Sequence, residues 1–156
     1  MKNKGWGLFG KGKGWKNQAK RLSIFVCVIC LVAGFFYINI IQHERQVIKD
    51  KMTEVTHSMS NVACAVTAYN QDLNSWPYCD GVIAIQTSLG LNIPTKRISS
   101  MTVISPRAEE VIITATIKGT DSRVDGKNLT LTGKPSKRII LWRWGGTVPP
   151  TFVPKK

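Results

Sequence analysis

Residues Ile48–Leu73 read IKDKMTEVTHSMSNVACAVTAYNQDL. Apolar side chains recur at Ile48, Met52, Val55, Met59, Val62, Val66, Tyr69 and Leu73, in steps that alternate between four and three residues. Such spacing puts all eight on one face of a helix. Glu44, Arg45, Lys49, Asp50, Lys51, Glu54, Thr56 and Ser58 supply the wet side. The helix is expected to stop in NQDLNSWP, where Asn74 and Ser75 favour turns and Pro77 disfavours helical geometry in the residue before it. A stripe of this period suits a coiled coil or a helix laid on a sheet, and the chain downstream of Pro77 decides between them.

That downstream chain is strand-like. MTVIS, EEVIITATIKG, NLTLTG and RIILWRW, between Met101 and Trp144, are short and rich in β-branched residues. Threonines at Thr114 and Thr116, and the alternation of Leu129 and Leu131 with Asn128, Thr130 and Thr132, fit half-buried strands. GTDSRVDGKN and GKPSKR connect them with Gly, Asp, Asn and Pro. These features predict an antiparallel sheet of four strands over residues 98–144 with one apolar face. The stripe is its natural cover, so the fold class is α+β, with a helix over 42–73 packed on the sheet. Beyond Trp144 the chain reads GGTVPPTFVPKK. Its aromatic and aliphatic residues suggest a return over 145–156 that sets Phe152 and Val153 against the domain.

Upstream, Leu22–Ile41 (LSIFVCVICLVAGFFYINII) has twenty residues without a charge. At ~1.5 Å per residue they span a hydrocarbon layer of ~30 Å. A domain of this size cannot surround a helix apolar on every face, and a cleaved secretory signal has a shorter apolar run that ends in a small-x-small site. Residues 1–21 carry seven basic side chains and no acid, which predicts a cytoplasmic leader, one membrane pass over 22–41 and an exported segment from residue 42. Trp6, Phe9 and Trp15 lie among the leader's lysines, a pattern that suits either the inner lipid headgroups or a solvated flank. The whole chain, 156 residues at net charge +13, has room for one exported domain, and its 43% apolar content excludes disorder.

Leader, apolar helix, amphipathic helix and antiparallel meander together resemble type IV pilins and related pseudopilins. Closer resemblance lies in NLTLTG at Asn128–Gly133, in Trp142, Arg143, Gly145, Gly146, Thr147, Val148, Phe152, Val153 and Pro154, and in AVTAYNQDLNSWP at Ala65–Pro77. The resemblance implies a non-enzymatic subunit or accessory protein of a type IV pilus or type II secretion-like apparatus. It would be held in the bacterial inner membrane, partnered by other pilins and by lipid.

Departures from the family pattern carry their own implications. RLSIFV aligns with the pilin processing site, with Arg21 in place of the cleavage glycine, Leu22 as the next residue and Val26 in place of a glutamate. The leader is therefore expected to be retained. The carboxylate that in pilins pairs with a neighbour's terminal amine is missing. Trp144 stands where relatives have the first cysteine of a tail disulfide, and no second cysteine comes after it. Cys64 and Cys79, both on the oxidising side, are expected to form a substitute bridge contributing ~3 kcal/mol, with two free buried thiols as the alternative. Cys27 and Cys30 have Cys-x-x-Cys spacing but lie inside the apolar run with no second ligand pair, so they read as small apolar fillers.

No catalytic constellation emerges. His43 and His57 are fourteen residues apart on one helix, ~21 Å, too far to share a metal. Glu109 and Glu110 are adjacent in a strand and point to opposite faces. Phosphate-loop, nucleophile-elbow and zincin motifs are absent from the sequence. No cofactor, metal or small-molecule substrate is expected. Lys118, Arg123, Lys127, Lys134, Lys137, Arg138 and Arg143 gather in the strand-and-turn region as candidate phosphate contacts. They support a second reading, a membrane-anchored pilin-like receptor for DNA.

Overall fold

A computed structural model describes residues 13–136 and 139–154, with side chains from residue 26 onward. The chain divides into two compact units, Met1–Glu44 and Arg45–Lys156. One helix, α1, Lys13–Leu73, contributes to both.

In the first unit the large apolar side chains from Val26 to Ile40 are exposed, with Leu31 at 74% and Phe35 at 68%. Asn39 lies among them, and its side-chain amide donates to the Phe35 carbonyl at 2.8 Å. A polar group that bonds back to its own helix suits an apolar surrounding.

In the second unit α1 lies on a five-stranded antiparallel sheet, in the order β1 (Cys79–Asp80), β2 (Ile98–Arg107), β3 (Glu110–Ile117), β4 (Asn128–Ser136) and β5 (Ile139–Gly146). The α+β class is as the sequence predicts, with one strand more than the expected four. β1 pairs only with Thr102 and Val103 of β2. Two residues are too few to show an alternation, which is why the sequence pattern misses it. A second helix, α2, Val82–Leu89, buries Ile85 and is likewise unforeseen. Eight residues make little more than two turns, and the apolar run VIAI fits a strand as well as a helix.

Ile48, Met52, Val55, Met59, Val62 and Val66 of the stripe are buried, as is Ala63. Tyr69 is half-buried and Leu73 is 60% exposed. Leu73 keeps the phase of the stripe, so its exposure reflects its place at the last helical turn. Ser58, expected on the wet side, is buried and donates its hydroxyl to the Glu54 carbonyl at 2.9 Å. The helix stops where the turn residues predict: Asn74 takes a positive φ of 50°, and its N–H bonds to the Asn70 carbonyl.

The sheet's covered face alternates as a half-buried sheet should. Val111, Ile113, Ala115 and Ile117 of β3 face inward beside Leu129 and Leu131 of β4. Each of these valine, isoleucine and leucine side chains, buried against α1, stabilises the domain by roughly 1.5–3 kcal/mol. Opposite them, Thr114 and Thr116 face the outer side, where the Thr116 hydroxyl links Ser100 and Asn128.

At the end of β5 the chain needs glycine. Gly146 has φ +114°, and a Cβ there would fall 2.2 Å from the Asn128 carbonyl oxygen. Thr147 then clamps Asn128 reciprocally: its N–H donates to the Asn128 carbonyl at 2.8 Å, and its hydroxyl accepts the Asn128 N–H at 2.9 Å. A 3-10 turn at Pro150–Phe152 comes next, with Val148 and Phe152 buried. Thr151–Pro154 lie beside Lys49, Met52, Thr53 and Thr56 of α1.

Candidate functional site

Three surfaces carry the residues that the sequence singles out. The first is the exposed apolar stretch of α1, long and apolar enough to cross a membrane by length and composition. Val26, which the resemblance sets in place of a glutamate, is 52% exposed on it. The side chains of Arg21 and Leu22 lie outside the described residues, as does the leader over 1–12. Cys27 and Cys30 are exposed thiols on the same stretch. Among the described residues no group of three His, Cys, Asp or Glu side chains converges as a metal site.

The basic residues form the second surface, and the fold separates them. Lys118, Arg123 and Lys127 belong to the β3–β4 connection, whereas Lys134 and Arg143 sit on the outer face of β4 and β5. Lys127 and Lys134 are seven residues apart along an extended chain, ~23 Å. Acids accompany them. Arg123 Nε donates to Asp121 at 2.7 Å, and Lys134 Nζ lies 3.3 Å from Glu110. The Arg123 guanidinium holds the Asp121 carboxyl below the usual carboxylate range, first through this side-chain bond and then through the Arg123 backbone N–H. Lys137 and Arg138 lie outside the described residues. The β3–β4 connection is itself tied down: Asp125 accepts the N–H groups of Thr120 and Asp121 at 2.8 and 3.2 Å. From α1, Lys51 Nζ reaches the Thr120 carbonyl at 3.0 Å, while Arg97 donates to the Gly119 carbonyl.

The third surface flanks β5 and was not legible as a site. On the helix side, Ala63, Cys64 and Ala68 of α1 face Leu131, Trp142 and Trp144 across an apolar groove of about 470 Å³. On the outer side, Glu110, Thr132, Lys134, Leu141 and Arg143 surround a second hollow of about 460 Å³. Trp142 lies across Gly133, where a Cβ would meet its ring at 2.8 Å.

Cys64 and Cys79 are free thiols, the first exposed and the second buried. Cys64 borders the groove with β4 and β5, while Cys79 is in β1, three strand spacings or ~14 Å from β4 across the sheet. The two thiols are unpaired in this arrangement, in which the path after Asn74 leads to the sheet edge away from β4 and β5. Burial raises the Cys79 thiol above its ordinary pKa, partly offset by a hydrogen bond with Ser88.

A stripe-bearing helix on an antiparallel meander, closed by a clamped tail, defines the architecture of the second unit. The chain belongs to the pilin family: the family model Pilin (bacterial filament) matches residues 49–156. The match takes in the stripe from Met52 onward, the whole sheet and the tail. A comparison with curated proteins gave no match.

Proposed function

We propose that the chain is a non-enzymatic pilin-like subunit or accessory protein of a type IV pilus or type II secretion-like apparatus. The apolar stretch of α1 anchors it in the bacterial inner membrane, with the basic leader cytoplasmic and the second unit on the exported side. Within the bilayer that stretch docks with the helices of other pilins, and the leader, with Arg21 at the processing position, stays attached. The observation that carries this reading is the division of labour along α1. From Val26 to Ile40 its apolar side chains have no protein cover, whereas from Ile48 to Val66 the stripe is buried under a sheet that matches the pilin family.

Other pilins of the same cell should co-isolate with the detergent-extracted full chain. That association should be lost when Leu31 and Phe35 are replaced by serine, while the second unit stays folded. Co-isolation that is indifferent to those replacements would remove the membrane helix from the proposal. The DNA reading gains no support from the geometry, since the basic side chains are dispersed and two of them are paired with acids.

A further inference from the structure

The two edges of the sheet differ. At one edge the two-residue β1 covers part of β2. At the other, β5 pairs only with β4, and among the described residues no strand lies along its far side. Sheets usually protect such edges with lysine, proline, bulges or a covering element. Ile139–Trp144 carries one charge and no proline, and Ile139 and Leu141 are 64% and 55% exposed.

Both faces beside this free edge are hollowed. A strand added to β5 would send alternate side chains to opposite faces, ~6.8 Å apart on each. On the helix face they would enter the groove between Ala63, Cys64 and Ala68 and the rings of Trp142 and Trp144, whose lining holds no charged residue. On the outer face they would meet Leu141 and Arg143. Lys134 there already has Glu110, but Arg143 has no ion pair or hydrogen bond among the described residues. The edge therefore asks for apolar residues at one set of alternate positions and a carboxylate at the other.

We infer that β5 is a strand-addition site for an extended segment of a partner protein, in which apolar residues alternate with acidic ones. Main-chain hydrogen bonds to β5 supply affinity, while the groove and Arg143 supply selectivity. A second copy fits less well. β5 carries Arg143 and no acidic residue to match it, and the exported segment, with fifteen basic and nine acidic residues, is itself net positive. Strand addition concerns the exported unit alone and does not depend on the membrane-helix contacts of the proposed function.

The test uses the detergent-solubilised full chain and a fluorescent seven-residue peptide of alternating valine and glutamate. We expect saturable binding at low salt, at least tenfold weaker for a valine–lysine peptide and for a peptide N-methylated on alternate residues. Ala68→Arg, at an exposed position that blocks the groove, and Arg143→Glu should each weaken binding at least tenfold. Arg143→Glu should also reverse the preference toward the lysine peptide. Circular dichroism checks that both variants fold. The inference fails if the peptide does not bind, if N-methylation or either variant leaves its affinity unchanged, or if the chain self-associates through β5 in a manner abolished by Ala68→Arg, which would assign the edge to a second copy.

Discussion

Met59 and Leu73 belong to one stripe in the sequence, but only Met59 is enclosed. Met59→Ala should cost about 2–5 kcal/mol in a denaturant titration, and Leu73→Ala no more than about 0.5 kcal/mol. Periodicity reports which face a residue occupies and is silent on how far along the axis the sheet extends, so the stripe's membership was legible and its end was not. Ser58 shows the same limit from the other side: a small hydroxyl satisfied by the carbonyl one turn back is cheap to bury, so its polarity misplaced it. The cysteines show a further limit, because pairing depends on the direction the chain takes after the helix, and here both thiols are free. Cys64 should react with a thiol reagent in the native protein and Cys79 only after unfolding, and Cys64→Ser should leave stability unchanged rather than lower it by the ~3 kcal/mol of a lost bridge. With its folded pKa raised, Cys79 contributes stability that is present below the unfolded thiol pKa and declines as pH rises through the folded value. Asp121 works in the opposite sense: its lowered pKa contributes above the unfolded aspartate value and is lost as pH falls through the folded one.

The connection between β3 and β4 depends on a few polar groups. Asp125 binds two backbone N–H groups of its own turn, and Lys51 fastens that turn to α1. Asp125→Ala should therefore cost about 1–2 kcal/mol and speed amide hydrogen exchange at Thr120 and Asp121 ahead of global unfolding. Turn chemistry in GTDSRVDGKN marked this loop in the sequence, but the fastening by Lys51, sixty-nine residues away from Thr120, has no local signature. β5 carries a comparable dependence. Gly133→Val would force the Trp142 ring off the strand opposite it, with an expected loss of about 1–3 kcal/mol and a change in tryptophan fluorescence. The strand and its aromatics could be read from RIILWRW. That it is an edge could not, because edge position depends on where every other strand goes.

Across the whole molecule, the family assignment rests on residues 49–156, and two of the departures that the resemblance brings out, at Arg21 and Val26, lie before them. A pilin domain succeeds an apolar helix in which the resemblance sets Arg21 at the processing glycine and Val26 at the glutamate. The proposed reading makes those two differences one property: the chain stays in the membrane with its leader attached. The sequence alone carries this claim, since the fold of the second unit is compatible with either terminus. Intact mass analysis of the protein extracted from membranes tests it most directly. The account predicts a full-length species of 17.3 kDa that still includes residues 1–21. A shorter chain that begins at Leu22, above all with a methylated amine, would contradict it and make the protein a processed filament subunit.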